Sequence, residues 1–322
     1  MIKLKTPEYL NKRSDFTSLG VVVAHIAVVL FPLYLAAATT SNVLLVGCCF
    51  WFGISAHGLL NLMHECAHYH VFKKRWGCNV LGRWVLAPLA VADFDNYRQL
   101  HWAHHRNLGR DDDPKYSYRV NIHGWRAVAF LIQCIAGIEA AKKLSYQARE
   151  RASSNLARSW FWLVRLAVFQ GVLLSSLFAT AWLASAHNLA AALLRTVIVY
   201  GFVYVYGLVS LTLLVATLRA IAEHHPAADE GQISGQAALR NLLCSPIARL
   251  IFGCYGFAEH ATHHLEPAIP SYRLSSATRA LAEGSPTLRP QFGYLDVLIT
   301  LVQVNTGSTR RDLGATSNLA GR

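Results

Sequence analysis

Residues 16–64 read FTSLGVVVAHIAVVLFPLYLAAATTSNVLLVGCCFWFGISAHGLLNLMH, 49 positions without a single Asp, Glu, Lys or Arg. A helix crosses a bilayer core in about 20 residues, so this stretch holds two crossings and a short turn. A second block, residues 160–218, carries only Arg165 and Arg195 among 59 positions and divides the same way. Together the two blocks predict an all-α integral membrane protein with four transmembrane helices in two hairpins, at 18–39, 43–63, 160–184 and 190–218. The composition agrees: 53% of residues are hydrophobic and 15% charged, against about 25% charged in a soluble domain.

The position of the charges orients the chain. Of its 30 Lys and Arg, 28 fall in the N-terminus, the segment 65–159 and the tail 219–322, together with all 18 acids. The turns inside the two hairpins carry none, so the positive-inside rule makes the charged face cytoplasmic. The expected protein is a multi-pass one of a bacterial inner membrane, with termini and active site cytoplasmic. It reads as a single domain over residues 1–322, ending in a polar tail at 306–322. The net charge of +12 is interleaved with acids and confined to a membrane face, which excludes a nucleic-acid partner. Seven cysteines without a C-x-x-C pair read as reduced thiols. The apolar pieces Val80–Ala92 and Val128–Ile138 are too short to cross and predict interfacial helices. Two further apolar pieces, Ala248–Phe257 and Leu295–Val304, fall in the cytoplasmic helical cap.

Ten of the 15 histidines fall into four groups. His64-Glu65-Cys66-Ala67-His68 is H-x-x-x-H, His101-Trp102-Ala103-His104-His105 and His260-Ala261-Thr262-His263-His264 are both H-x-x-H-H, and His224-His225 follows Glu223. Helical residues three and four apart share a face, so each box aims two or three imidazoles at one place. The first box ends span two and His224 lies just beyond span four, which brings all four groups to one membrane face. Ten imidazoles exceed what one ion takes, and two metals sharing eight or nine nitrogens is the natural count. Imidazole suits Fe, Zn, Cu and Ni alike. A structural zinc site needs four ligands and favours Cys, so the ligand number points toward oxygen chemistry at iron.

His25, His70, His123 and His187 have no spacing partner and read as ordinary histidines. His57 and Asn61 continue the face of His64 and His68 along span two, which predicts a substrate channel or a hydrogen bond to a ligand. Ligating histidines donate their second ring N–H to a carboxylate or carbonyl. Glu65, Asp95, Glu223 and Glu259 are the candidates for that role. Asp93 and Asp111 to Asp113 adjoin the second box as well, with Asp113-Pro114 reading as a turn.

The three boxes H-E-C-A-H, H-W-A-H-H and H-A-T-H-H, in this order around two membrane hairpins, resemble the integral-membrane fatty acid desaturases. The likeness runs from His57 to Leu274. It takes in Tyr97-Arg98-x-x-His101, Asp112-Asp113-Pro114, Arg219-x-x-x-Glu223-His224 and His264-Leu265-x-Pro267-x-Ile269-Pro270-x-Tyr272-x-Leu274. The resemblance implies two iron ions that activate O2 and take hydrogen from an unactivated C–H bond. It carries the ligand role to His64, His68, His101, His104, His105, His224, His260, His263 and His264, with His225 as the alternative to His224. No H-P-G-G haem motif of a fused cytochrome b5 occurs, so the resemblance implies a separate ferredoxin or cytochrome b5 as electron donor.

The expected activity is therefore O2-dependent introduction of a double bond into an acyl chain or lipid-like substrate held among membrane lipid. A hydroxylase or ketolase acting on an alkane, carotenoid or other lipid would use the same metals. A zinc transporter or membrane hydrolase is the reading from another class. Transport needs ligands at membrane depth, whereas these histidines gather at one face.

Overall fold

The computed structural model describes residues 14–108, 110, 112–114, 124–142, 156–224 and 239–302. The leader, Asp111, His123, His225 and the polar tail lie outside these residues. The chain folds into α1 (Asp15–Ala38) and α2 (Asn42–Ala67), joined by residues 39–41 and packed along one another. Ser14 and Ser41 cap them, their hydroxyls accepting from the Thr17 and Leu44 N–H groups. Such caps satisfy backbone donors that a helix start leaves orphaned.

Next come α3 (Arg75–Leu81), α4 (Phe94–Asn107), α5 (Trp125–Ile135) and α6 (Leu156–Ala184). α7 (Leu189–Ile198) continues through a π-helical stretch, Val199–Thr212, into α8 (Leu213–Glu223). The cap then adds α9 (Pro246–Ile251), α10 (His260–Leu265), α11 (Ser271–Gly284) and α12 (Tyr294–Val302). A parallel pairing of Leu242–Leu243 with Phe292–Gly293 ties two cap segments together. Among the described residues, four helices are long and apolar enough to cross a membrane: Asp15–Ala38, Asn42–Ala67, Trp160–Ala184 and Leu189–Glu223. This is the all-α membrane fold expected from the two apolar blocks.

The helices outrun the apolar segments. α2 continues past Met63 to Ala67, and the last long helix continues past Leu218 to Glu223. Hydropathy stops at the first charge, but the i→i−4 hydrogen-bond ladder does not. The 35 residues of Leu189–Glu223 are more than the about 20 that one crossing needs. The stretch 80–92, expected as an interfacial helix, is instead broken and partly buried, with Val80, Trp84 and Val91 exposed. A wide π turn at Gly82–Leu86 follows α3, and Leu86, Ala87 and Leu89 are fully buried. Trp162 and Gln170 of α6 donate to the Ala92 and Pro88 carbonyls, and the Tyr204 hydroxyl donates to that of Leu89, which anchors the segment against two spans. α5 buries Ala127 and Cys134 and exposes Trp125, Val128 and Ile132, the two-faced pattern of a helix in the membrane surface.

α2 is the central helix. It meets the π-helical stretch at two glycines: a Cβ on Gly53 would collide with Leu211, and one on Gly207 would lie 2.9 Å from the Phe52 ring. Close approach of this kind is what small residues allow in a membrane interface. The Thr212 hydroxyl fixes it by donating to the Gly53 carbonyl at 2.8 Å.

Candidate metal centre

The cap hangs from α2 by a ladder of contacts. His57 Nδ1 donates to the Ile251 carbonyl at 3.0 Å, and Asn61 Nδ2 lies 3.3 Å from the Cys254 carbonyl and 3.0 Å from its sulfur. One turn further on, the His64 ring lies 4.5 Å from that of His263. His57 and Asn61, expected along a substrate channel, each give one side-chain nitrogen to the chain that leads into the third box, while His57 Nε2 has no hydrogen-bond partner among the described residues. Both are buried, and satisfying a cap backbone there removes the cost of an unpaired polar group.

The ladder and the second box bring nine imidazoles into two groups. His64, His68, His101, His105 and His263 form one, and His104, His224, His260 and His264 the other, with the candidate ligand atoms of each group within 4.8 Å of one another. Seven of the nine are buried, His105 and His264 partly so. Helix periodicity divides the boxes. In the second box His101 and His105, one turn apart, face the first group while His104 turns to the second. The third box does the reverse, His260 and His264 facing the second group and His263 the first. The groups meet where the His105 and His264 rings stack at 4.0 Å. Within the first, His101 Nε2 lies 2.6 Å from His68 Nε2 and 3.0 Å from His105 Nε2.

Outer partners hold the rings. His104 Nδ1 is 2.8 and 3.0 Å from the two oxygens of Asp113, His64 Nδ1 is 3.3 Å from Glu65, and His224 Nδ1 donates to the Ala220 carbonyl at 2.8 Å. A proton fixed on Nδ1 leaves the lone pair on Nε2, the tautomer that a metal takes. Glu65 also accepts from the Ser271 N–H at 2.9 Å and stands 3.5 Å from His70. Glu223 is fully buried, bonded by Arg219 and by the Tyr294 hydroxyl, with His260 at 3.7 Å.

The other two expected carboxylates lie elsewhere. Asp95 is gripped by Arg83 through three hydrogen bonds, and Glu259 by Arg249 and the Ser275 hydroxyl. Asp113 takes the place beside the second box. Its turn-forming Asp-Pro sequence hid that role, as the lack of a spacing partner hid His70. Asn241 was also missed: it accepts from the Thr262 N–H and donates to the Thr262 hydroxyl, clamping the middle of the third box. Nothing local in the sequence around Asn241 signals this. His225 lies outside the described residues.

The donors fit metal ions. Neither ring nitrogen of His263 nor Nε2 of His264 has a hydrogen-bond partner among the described residues, though all three atoms are buried. Burial, with the surrounding imidazoles adding to it, holds both rings well below the ordinary histidine value, so they are neutral. Buried and unsatisfied lone pairs cost free energy, and coordination removes that cost. Five and four imidazoles in adjoining groups suit two ions better than one.

A fatty acid desaturase family model matches residues 16–295. The chain is also similar to the sn-1 oleoyl-lipid 12-desaturase of Synechocystis sp., at 26% identity over 287 residues that take in 82% of this chain and 73% of that one.

Proposed function

The chain belongs to the fatty acid desaturase family, and from that premise we propose that it introduces a double bond into the acyl chain of a membrane lipid, using O2. The observation that carries this reading is the division of nine imidazoles into two adjoining groups, with His64, His68 and His224 at the ends of apolar helices. We assign the nine as ligands to two iron ions. When bound, these supply the O2 activation and the removal of hydrogen from an unactivated C–H bond.

The chain's own residues then do four things. The nine rings would hold the two ions, five in one group and four in the other. Asp113, Glu65 and the Ala220 carbonyl keep the Nδ1 protons in place and hold the rings in line. Arg219 and Tyr294 hold the Glu223 carboxylate beside His260. Burial of the histidines excludes water, which protects a reactive site from side reactions. Electrons come from a separate protein, a ferredoxin or a cytochrome b5, docking on the basic cap. The cap is cytoplasmic by its excess of Lys and Arg, and the membrane is a bacterial inner membrane. The similar protein from Synechocystis sp. is named for an oleoyl chain in a lipid, and an acyl chain already esterified in a lipid is the substrate class we propose here.

The test is expression in a host with mass spectrometry of its lipids, together with metal analysis of the purified protein. Loss of two hydrogens from an acyl chain and two irons per chain are the expected results. Gain of one oxygen would move the reading to a hydroxylase, and stoichiometric zinc without iron would overturn it.

A further inference from the structure

A cavity of about 220 Å³ lies between the start of α1 and the end of α2. Its lining has two chemical ends. Ser14, Thr17 and Ser18 form a hydroxyl rim, Val21, Val22, Leu62 and Val71 form an apolar wall, and His70, Ser271 and Tyr272 complete the lining with Glu65 and Tyr255. A polar mouth over an aliphatic wall at the end of two membrane helices suits an acyl chain that carries a polar head. Beyond it is a narrow cleft with no room for a water molecule, lined by His64, His260 and His263. Two residues, Glu65 and Tyr255, line both spaces and so form the wall between them.

The two differ in how they are held. Glu65 is fixed by His64 and by the Ser271 N–H, with His70 beside it. Tyr255 makes no side-chain hydrogen bond among the described residues, and its ring rests edge-on against His25 at 5.4 Å. Its backbone sits at φ 56°, ψ 43° and is followed by Gly256 at φ 76°, where a Cβ would lie 2.6 Å from Leu274. A tyrosine in the left-handed region is a strained placement that persists only where its surroundings impose it. Here the backbone holds a large ring at the boundary of the two spaces.

We propose that the cavity takes the acyl chain and that Tyr255 is the gate between it and the histidine groups, a specificity-determining residue that sets which chains reach them. The inference rests on the acyl-chain reading above. In the closed position only the cavity is open to a chain, and a chain long enough to pass must displace the ring. That displacement is a conformational cost that lowers the apparent affinity of long chains alone.

The test is binding to the full chain in lipid nanodiscs, by competition of stearate and of decanoate against a fluorescent fatty acid. Tyr255→Ala is expected to raise the affinity for stearate relative to decanoate by about five-fold or more, while Tyr255→Phe, which keeps the ring, matches the wild type. Val21→Trp, on the exposed side of the cavity, is expected to weaken both acids. An unchanged stearate-to-decanoate ratio in Tyr255→Ala overturns the gate, and unchanged binding in Val21→Trp overturns the cavity as its antechamber. Failure of the desaturase reading shows separately, as host lipids without a new double bond while the binding shifts persist.

Discussion

His104 Nδ1 lies 2.8 Å from an Asp113 oxygen, and neither side chain has any exposure. Asp113 sits nine residues past the histidine, beyond the end of α4, so a turn in the chain carries the carboxylate back beneath the box. Asp113→Asn is expected to lower metal affinity at the second group by about 10–100-fold, read as metal retained per chain after dialysis against a graded chelator. Asp95→Asn, whose carboxylate belongs to Arg83, should retain metal like the wild type. Equal retention in the two variants would remove Asp113 from the centre.

The alternating assignment of the third box predicts separable losses. His263→Ala removes a donor from the first group and His264→Ala one from the second. Each variant is expected to lose most of one ion while keeping the other, and each should lose turnover by at least about a hundred-fold because the two ions act as a unit. Metal counts that fall together to zero in both variants would show one shared site.

Neutral His263 and His264 also predict an acid limit. Below the ordinary value of 6.5 an unfolded chain protonates these rings, while the folded chain resists until its lowered values are reached. The unfolded state then binds more protons, so stability falls as pH falls, by up to about 2.7 kcal/mol per pH unit for two groups. Thermal unfolding of chelator-treated protein between about pH 7.5 and pH 5.5 checks this. A flat profile would contradict it.

Two classes of glycine in α2 and its neighbours should respond in opposite senses. Gly53→Ala forces a methyl into Leu211 and is expected to cost about 1–3 kcal/mol, whereas Gly20 and Gly47 have nothing within 4 Å and tolerate Ala with a gain of about 0.5–1 kcal/mol. Melting temperatures in detergent decide the matter. A harmless Gly53→Ala would mean that α2 and the π-helical stretch do not depend on their close approach.

Asn61→Leu tests the ladder that hangs the cap. It leaves the Cys254 carbonyl without its amide partner, at a cost of about 1–3 kcal/mol. Stability should drop without a change in which fatty acids bind. Altered binding with unaltered stability would return Asn61 to a substrate channel.

The sequence by itself determined the fold class and the set of imidazoles that converge. Both are one-dimensional properties: an uncharged run either is or is not long enough for two crossings, and residues three and four apart share a helix face whatever surrounds them. The tertiary structure alone decided how the nine rings divide, which carboxylates lie beside them and which groups His57 and Asn61 contact. Those outcomes depend on partners far away in the chain. His64 meets His263, Asn61 meets Cys254 and Glu65 meets Ser271. Asp95 is the acid expected beside the second histidine box and Asp113 the one expected in a turn, and packing reverses the two by giving Asp113 to His104 and Asp95 to Arg83. A carboxylate goes to whichever donor the fold brings within reach, and that distance is written in no local stretch of residues.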